Sequence, residues 1–587
     1  MLTTKFANRQ TVQKKIRVSN SNSGFLAETP YVKSTFMKTS CNLLLFFVIY
    51  LNPFARATQD VVNTGICAGV QLKRGFHIPD NGNGTYTNPV MPNAHWSDAC
   101  VLRVNDEFFC ATSSCDAIPL MTILRSHDLV NWDVAGSAME DWPKDLPPAQ
   151  CWSGRISHIN GKFRITTHIT GQHFIIMESL RPEGPWYRVS HHFSDMNKQW
   201  SANFFTDRDG STYMIAANWI QKTSADALSF SGKRQKVVDA PPFDHPIIEN
   251  PSLIRRGDYY YWFESVNGAT RMGNQPYSGK LSVWRSIHPM GPYEQSPRDF
   301  ISANNRFQVP NSGYAVEGPD GNWWFLYNTI DILRLNMCRQ LHLDRISWDK
   351  DGWPIVNDEK GPSLVNKKPV EGFSPTWIPD LNDDFNGNGL EGLTSGVLGR
   401  KWLKRTLLPD LWSVSDGWLR MKTAFPSIVQ LVAPNYIFQR PTAANYSMTT
   451  RMRFSPTSGH QQAGLMLRET TTGIGLAIGL EPQSSAMDGT MLHVWHNTNG
   501  VLSSVSAKKY EASVVYLRLD VNGLTAQTFY SLDGKNWELI GPTYSFAWNG
   551  RYFATFFPGL FAGQNLPSPT LGVAEFDYFY YTPMDRE

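Results

Sequence analysis

The sequence predicts an all-β protein made of a five-bladed β-propeller followed by a β-sandwich. Three observations lead to this prediction. A turn followed directly by an aromatic strand recurs five times, the repeated unit is about 50 residues long, and the pattern changes near residue 380. At 587 residues the chain is also too long for one compact core, because single domains rarely exceed about 250–300 residues.

The repeated unit starts with a turn of Asn, Asp or Gly. Asn-Gly and Asp-Gly turns are typical of β-hairpins, because both central residues need a positive φ. The five copies are "VNDEFFC" (104–110), "INGKFRI" (159–165), "RDGSTYM" (208–214), "RGDYYYW" (256–262) and "PDGNWWFLY" (319–327). An outer strand, a turn and an aromatic residue then follow three of them, at 125–132, 178–186 and 285–293. Five such units favour a propeller over an array of sandwiches, which is the structural alternative.

The sequence pattern changes in the second part of the chain. We predict a propeller over residues 75–365, a Pro-, Asn- and Gly-rich linker over 366–382 and a sandwich over 383–582. Short runs that alternate apolar and polar residues, such as 446–454 and 463–469, indicate strands. Nothing in this part resembles a helix, so two packed sheets are expected.

Residues 1–57 are predicted to be a leader that ends in a secretory signal peptide. The apolar run 43–51 is much shorter than the roughly 20 residues that span a bilayer, and "FARA" (54–57) supplies a small-x-small ending. A buried core strand is the weaker alternative, since the run has no hairpin partner. The expected product is secreted and extracellular, with no membrane attachment after cleavage.

Export would permit disulfides and glycans. Removing the leader takes Cys41 with it and leaves six cysteines, enough for up to three disulfides whose connectivity the sequence does not resolve. Asn83 and Asn445 each begin a glycosylation sequon that we expect on the surface. A formal net charge of +3 over the whole chain gives no electrostatic case for nucleic acid.

Two acidic residues stand just before predicted inner strands, whose ends line the central cavity of a propeller. Asp98 precedes the first blade's strand, and Glu249 holds an equivalent place in the fourth blade. Cleavage of a glycosidic bond requires two carboxyl groups: one protonates the leaving oxygen and the other activates water or attacks the sugar. The chain has 51 acidic residues, so position alone does not single out this pair.

The motifs around these residues resemble glycoside hydrolase family 43. "NPVMPNAHWSDAC" (88–100) and "SHDLVNW" (126–132) are similar to the family's opening blade. The resemblance continues in order through 151–163, 203–213, 248–261, 316–328 and 338–356, and residues 383–581 resemble the concanavalin-like sandwich attached to many of these enzymes. That family comprises β-xylosidases, α-L-arabinofuranosidases and arabinanases on a five-bladed propeller, and it inverts configuration.

The resemblance implies a role for each matching residue. Asp98 falls on the family's general base and Glu249 on its general acid. Substrate binding is implied for Trp152, Trp200, Arg339 and Ser312. Core packing remains the alternative for Trp152 and a structural ion pair for Arg339. The implied substrate is a pentose-containing plant polysaccharide or oligosaccharide such as xylan, arabinoxylan or arabinan, and no cofactor is required for the chemistry.

The sequence also departs from the family pattern. The family's third carboxylate, which tunes the acid, corresponds here to Ser201. Either another acid such as Asp195 or Asp207 substitutes for it, or acid tuning is impaired; the hairpin turn explains Asp207 better. Ser312 replaces a histidine on which a central cation site would rely. A carbohydrate-binding homologue with weakened catalysis is therefore the alternative function, and a propeller scaffold for protein partners is a second.

A structural calcium ion is a further expectation for the sandwich. Asp384 lies near its first strand and Asp577 near its last, and carboxylates from adjacent strand ends can share a calcium ion. Two ordinary turn residues explain the same pattern equally well.

Overall fold

The computed structural model describes residues 77–146, 149–170, 173–196, 199, 201–239, 248–266, 279–375, 377–405, 409–425, 435–469, 473–498, 501–546 and 555–584. These residues all fall within one compact unit of the chain. The predicted leader and signal peptide, Cys67 and Trp200 lie outside them. None of the helices in these ranges is long and apolar enough to cross a membrane.

Within the described residues, five four-stranded antiparallel sheets of consecutive strands confirm the propeller. The first blade contains β2 to β5, which are Ser97–Val104, Glu107–Ser113, Leu120–Ser126 and Trp132–Met139. The second contains β6 to β9: Cys151–Ile159, Lys162–Ile169, His173–Ser179 and Tyr187–Val189. The third contains β10 to β13: Asn203–Thr206, Thr212–Ala216, Trp219–Lys222 and Gln235–Lys236. The fourth contains β14 to β17: Ile248–Arg256, Tyr259–Val266, Lys280–Ser286 and Glu294–Gln295. The fifth contains β18 to β21: Phe307–Glu317, Trp323–Asp331, Arg339–Trp348 and Pro354–Val356.

Short elements flank the blades. Strand β1 (Thr85–Thr87) pairs with β22 (Val365–Lys367), so the chain entering the propeller is tied to the chain leaving it. Short 3-10 turns lie at Ile332–Met337, Asn357–Glu359 and Pro409–Leu411.

The hairpin turns have the geometry that their sequences predict. In the second blade, Asn160 and Gly161 have φ values of 52° and 76° and join β6 to β7. These are positions that Asn and Gly tolerate and most residues avoid. The aromatic residues that follow the turns pack inside and between blades; Phe263, for example, lies 5.3 Å from Phe325 of the fifth blade, ring centre to ring centre.

The C-terminal part is a two-sheet sandwich, as predicted. One sheet has the strand order β23-β26-β36-β28-β29-β30-β31, which are Leu403–Lys404, Tyr436–Phe438, Phe556–Gln564, Gln461–Glu469, Gly473–Pro482, Thr490–Thr498 and Val501–Tyr510. The other has the order β24-β25-β37-β27-β32-β33-β34, which are Trp412–Ser415, Trp418–Lys422, Val573–Phe576, Asn445–Ser455, Val514–Asn522, Thr525–Ser531 and Glu538–Leu539. Two further strands join this sheet: β35 (Tyr544–Ser545) and β38 (Tyr580–Pro583).

The alternating pattern of the sandwich strands forms its core. Along β32, every second residue from Val515 to Val521 is buried, which is the period of a strand with one face covered. Leu517 and Leu519 of this strand pack in one cluster with Leu465 and Leu476 of the opposite sheet. The apolar faces of the two sheets are therefore buried against each other.

The sandwich packs directly on the propeller. Ile118 and Lys404 exchange backbone hydrogen bonds of 2.7 and 3.0 Å across the two parts. Beside them, the carboxylate of Asp116 accepts hydrogen bonds of 2.5 Å at both oxygens from Arg468 and lies 3.1 Å from Arg405. All three charged side chains are nearly inaccessible to solvent.

Replacing Asp116 with asparagine is expected to destabilise the protein by about 3–5 kcal/mol, because two buried guanidinium groups lose the carboxylate with which they pair. Asp577→Asn is the matched control, since its partner Arg451 is roughly a quarter exposed and such pairs contribute about 0–1 kcal/mol. Chemical unfolding of both variants measures the difference. Equal losses would show that the Asp116 cluster does not hold the two parts together.

The prediction of disulfides is wrong for the cysteines that the structure describes. Cys100, Cys110, Cys115, Cys151 and Cys338 are all buried free thiols. Cys100 and Cys110 belong to different apolar clusters, because neighbouring positions on paired strands point to opposite faces of a blade. Cys115 and Cys151 are paired through their backbones, but their sulfur atoms contact His95 and Thr167 instead of each other.

The expected surface setting is also wrong for one of the two sequons. Asn83 is exposed, but Asn445 is 9% exposed and lies in β27. The Asn445 side-chain oxygen accepts a 3.0 Å hydrogen bond from the backbone of Gly523. This buried side chain therefore lacks the surface setting that a glycan needs.

The two acids considered for calcium each have a protein partner. Asp384 accepts a 2.6 Å hydrogen bond from Tyr580, and Asp577 forms a 2.9 Å ion pair with Arg451. In the described part of the chain, no three His, Cys, Asp or Glu side chains gather as metal ligands would. A cationic neighbour and too few oxygen ligands do not suit calcium, which takes six to eight.

Candidate active site

A ring of polar residues, one from each blade, lies at the centre of the propeller. Four of them stand at or near the start of an inner strand and Ser312 stands in the middle of β18. All five have the left-handed conformation, with φ between 49° and 61°: Asp98, Ser153, Ser201, Asn250 and Ser312. We call these five residues the axial ring. In four blades the regular pairing of the inner strand is interrupted at this position. Such bulges bend a strand and redirect a side chain, and they are frequent beside active sites.

Close packing accompanies the bulges. Each ring residue is followed by a small or cyclic residue, in order Ala99, Gly154, Ala202, Pro251 and Gly313. At Gly313, a Cβ atom would lie 2.1 Å from the ring of Phe325, so only glycine fits. Left-handed non-glycine residues are strained, and they persist where the surrounding structure holds them. Here the surrounding structure is a set of hydrogen bonds that link the blades.

Asp98 is the buried carboxylate of the ring, and it accepts hydrogen bonds at both oxygens. Its Oδ1 atom lies 2.8 Å from Nη1 of Arg339, 2.9 Å from the Ser312 hydroxyl and 3.4 Å from the Asn250 amide nitrogen. Its Oδ2 atom accepts from the Ser113 hydroxyl. Burial alone would raise the pKa of Asp98, but the charge of Arg339 and the hydrogen bond from Ser113 outweigh it and lower the pKa below its usual value. Asp98 is therefore ionised at neutral pH.

Glu249 has the opposite character. It is partly buried, and burial together with the negative charge of Asp98 raises its pKa to about 7. Arg339 and Arg155 lower the pKa, but by less. Asp98 is thus ionised at neutral pH, whereas Glu249 keeps its proton to a much higher pH than an ordinary glutamate. Environments that push two pKa values apart in this way are typical of an acid and base pair.

Comparison with known proteins shows the family to which the chain belongs. The family model for glycosyl hydrolases family 43 matches residues 86–354, and that of the beta xylosidase C-terminal concanavalin A-like domain matches residues 394–582. The chain belongs to glycosyl hydrolases family 43. It is therefore a glycosidase that hydrolyses O-glycosidic bonds.

Individual members of the family resemble this enzyme over most of its length. A xylan 1,3-beta-xylosidase from a Vibrio species is 25% identical, over 85% of this chain and 99% of its own. A non-reducing end alpha-L-arabinofuranosidase from Bacteroides ovatus is 25% identical, over 65% of this chain and 74% of its own. The crystal structure of a family 43 protein from Bacillus licheniformis superposes with a TM-score of 0.74 at 26% identity, over 85% of this chain and all of the other.

The position of Glu249 in this family 43 enzyme differs from the sequence prediction by one residue. Asn250, not Glu249, takes the place in the fourth blade that Asp98 takes in the first. Glu249 stands one residue before the ring, as Trp152 does in the second blade. Trp152 is partly exposed there and donates a 3.0 Å hydrogen bond to Thr170. Its role as a wall of the substrate pocket stays a prediction, as does that of Trp200, which lies outside the described residues.

The other candidate residues lie as follows. Arg339 is nearly fully buried and forms an ion pair with Asp98, and its contact with substrate stays a prediction. Ser201 donates a 3.0 Å hydrogen bond to the Ser153 hydroxyl. Asp207 lies at the opposite end of β10 from Ser201, where it accepts from Arg255 and Tyr260 at a hairpin turn.

Neither of the two proposed substitutes for the third carboxylate stands beside Ser201 in the ring. Asp207 belongs to the turn, as the sequence suggested, and Asp195 is exposed. The sequence analysis missed Ser113, Ser153, Arg155 and Asn250, all of which contact other site residues. The signal that could have found the ring is a polar residue followed by a small or cyclic one in or just before each inner strand.

The sandwich holds the segment that leads into Asp98. His95 lies 3.2 Å from the sulfur of Cys115 on one side and 3.3 Å from the hydroxyl of Thr555 of the sandwich on the other. Arg440 of the sandwich donates a 2.8 Å hydrogen bond to the His95 carbonyl. Burial holds the pKa of His95 well below its usual value, so the ring is neutral. The sandwich therefore supports one side of the site.

Proposed function

We propose that this enzyme is a secreted, inverting glycosidase that removes pentose units from plant polysaccharides or their oligosaccharides. Asp98 acts as the general base and Glu249 as the general acid. The observation that carries the proposal is the contrast between the two interacting carboxyl groups: Asp98 is held ionised by Arg339, while the pKa of Glu249 is raised to about 7.

The chemistry follows from these two protonation states. A water molecule between Asp98 and the sugar attacks the anomeric carbon and gives a proton to Asp98. The bond from that carbon to the leaving oxygen breaks, and the leaving oxygen takes the proton of Glu249. Inverting enzymes of this kind keep their two carboxyl groups about 6.5–9.5 Å apart to leave room for the water. Exchange with solvent then returns the proton from Asp98 and reloads Glu249.

The choice of pentosides rests on the relatives. Proteins similar to this chain are named for xylan 1,3-beta-xylosidase and alpha-L-arabinofuranosidase activities. We propose the same class of sugar here. The predicted signal peptide supports secretion, which would bring the enzyme to polymers that do not enter cells.

A panel of 4-nitrophenyl glycosides tests the substrate class. Turnover is expected on β-D-xylopyranoside or α-L-arabinofuranoside and not on β-D-glucopyranoside. Asp98→Asn, purified in the same way, controls for contaminating glycosidases. Turnover restricted to hexosides would contradict the pentose assignment while leaving the glycosidase intact.

A carbohydrate-binding homologue with weakened catalysis is the second candidate. Ser201 in the place of the third carboxylate favours it. If no glycoside of the panel is turned over, yet xylo- or arabino-oligosaccharides bind in calorimetry, the binding function replaces the hydrolytic one. The retained pair of Asp98 and Glu249 favours hydrolysis, because binding alone does not need their opposite protonation states.

The pH dependence of kcat/KM follows from the same pair. Glu249 must be protonated, so the rate is expected to fall as pH rises through about 7. Asp98 must be ionised, and because its pKa lies below the usual value, the rate should hold until the pH is below about 4. Measured profiles on the best substrate check both limbs. A rate that still rises above pH 8 would exclude Glu249 as the acid.

A further inference from the structure

The axial ring contains a chain of hydrogen bonds that all run in one direction. The Ser201 hydroxyl donates to the Ser153 hydroxyl oxygen over 3.0 Å, and the Ser153 hydroxyl donates to the Asn250 side-chain oxygen over 3.1 Å. The Asn250 amide nitrogen donates to Ser312, whose hydroxyl donates to Oδ1 of Asp98 over 2.9 Å. Four successive donors, drawn from four blades, end on a carboxylate of the remaining one.

We propose that Ser201, Ser153, Asn250 and Ser312 form a positioning relay that holds Asp98 ionised and oriented to accept the proton of the attacking water. This inference rests on the proposed role of Asp98 as the base. It gives Ser201 a task as the first donor of the relay, where the family pattern has a carboxylate. The relay residues act through Asp98 and are not themselves catalytic.

A second arm of the relay reaches the other oxygen of Asp98. The backbone N–H of Ser153 donates to the Ser113 hydroxyl over 2.6 Å, and Ser113 donates to Oδ2 of Asp98. Ser153 therefore supports both oxygens, one through its backbone and one through its side chain. With both oxygens held, rotation of the carboxylate about its Cβ–Cγ bond is restricted.

Arg155 fixes the direction of the chain at its centre. It is fully buried and donates to the side-chain oxygen of Asn250 and to the carbonyl of Ala99. An arginine has only donors, so the Asn250 oxygen must face Arg155 and its amide nitrogen must face Ser312 and Asp98. The reversed amide would place donors against donors.

Burial makes the relay effective. Ser153, Ser201, Asn250 and Ser312 are all at most 5% exposed. Hydrogen bonds in a row polarise one another, and they are stronger where water is excluded. A hydrogen bond to a charged group contributes more than one between neutral groups, so losing the last donors should weaken Asp98 as an ionised base.

A carboxylate at position 201 would disturb this arrangement. An ionised carboxylate only accepts hydrogen bonds. The Ser153 hydroxyl would then turn its single donor towards position 201 and release the Asn250 oxygen. The relay therefore predicts that Ser201→Asp lowers the rate. If the enzyme instead only lacked a negative charge at position 201, the same substitution would raise the rate.

The experiment compares Ser201→Asp, Ser201→Gly and Asn250→Gly with the unaltered enzyme, full-length in each case. Glycine accepts the positive φ of both positions without strain, so it removes only the side chain. Thr528→Val, which removes one buried hydrogen bond to a carbonyl in the sandwich, is the control and should keep full activity.

Asn250→Gly is expected to lower kcat about tenfold or more with KM within about twofold, and to move the acidic limb of the pH profile upwards. Ser201→Gly, which loses only the first donor, should lower kcat by less than about threefold. Ser201→Asp should lower kcat by roughly tenfold. A higher kcat in Ser201→Asp, or an unaltered pH profile in Asn250→Gly, would overturn the relay.

A measurement without substrate separates this inference from the proposed function. The depressed pKa of Asp98 contributes stability that is present above about pH 4 and is lost as the pH falls through the folded pKa. Asn250→Gly should therefore unfold in acid at a higher pH than the unaltered enzyme, whereas Thr528→Val should not. If this shift is present but no glycoside is hydrolysed, the relay stands and the hydrolytic role of Asp98 fails. If the shift is absent in an active enzyme, the relay fails alone.

Discussion

Asp98→Asn is expected to lower kcat by about 10²–10⁴-fold on every glycoside that the enzyme hydrolyses. The amide cannot take a proton from water, so activated and natural substrates should suffer alike. Asparagine keeps the shape of the side chain, but its single oxygen can accept from only one of Ser113 and Ser312, and its NH2 group faces the other. Steady-state kinetics on a nitrophenyl pentoside and on the corresponding disaccharide measure the loss.

The control for this variant is Asp207→Asn, which alters another paired carboxylate of the propeller at the far end of a strand. It should keep nearly full kcat. If Asp98→Asn retains more than about a tenth of the rate on both substrates, water is activated by another group and the base is misassigned.

Glu249→Gln is expected to separate substrates by their leaving groups. A sugar or alkyl alcohol must be protonated as it departs, so kcat/KM on a disaccharide should fall by about 10²–10⁴-fold. A nitrophenolate departs without a proton, and hydrolysis of the nitrophenyl glycoside should fall less than about tenfold. The decline of the rate above about pH 7 should also disappear on the activated substrate, since the titrating group has been removed.

Glu481→Gln provides the matched control, because Glu481 is a largely buried carboxyl group of the sandwich whose pKa is also raised by burial. It should leave both substrates and the pH profile unchanged. Equal losses on the disaccharide and the nitrophenyl glycoside in Glu249→Gln would remove Glu249 from the role of acid.

The fold could be predicted from the sequence because its signals are local. An Asn-Gly turn such as Asn160-Gly161 specifies a hairpin through the φ values of two adjacent residues, and the aromatic strand that follows repeats in five blades. The alternation along Val515 to Val521 likewise shows one buried face from sequence alone. Neither inference needs knowledge of distant contacts.

The site could be predicted only in part. Asp98 and Glu249 were found through resemblance to a family, and in the structure the charge of Asp98 contributes to the raised pKa of Glu249. The axial ring was missed because its five members, a carboxylate, three serines and an amide, are far apart in the sequence and meet only when the blades close. The sequence analysis equated the position of Glu249 with that of Asp98, although Glu249 lies one residue earlier in its blade. This error arose because a β-bulge shifts the pairing of a strand without a recognisable change in the sequence.

The wrong predictions, of disulfides and of a surface position for Asn445, also arose because a local pattern does not report distant contacts. An even number of cysteines suggested disulfides, but the contacts of Cys115 and Cys151 are set by blade packing and direct their sulfurs apart. The sequon at Asn445 satisfies a three-residue pattern, whereas its burial depends on Gly523 and the neighbouring strand. Local patterns do not report which side chains the fold encloses.

The central claim is that water, activated by Asp98, attacks the sugar while Glu249 protonates the departing oxygen on the opposite side. Proton NMR of the sugar released in the first minutes of hydrolysis, before mutarotation, tests this most directly. A β-xyloside should give α-xylose first. Release of β-xylose would mean that Asp98 or another group forms a covalent intermediate with the sugar, and would contradict the account.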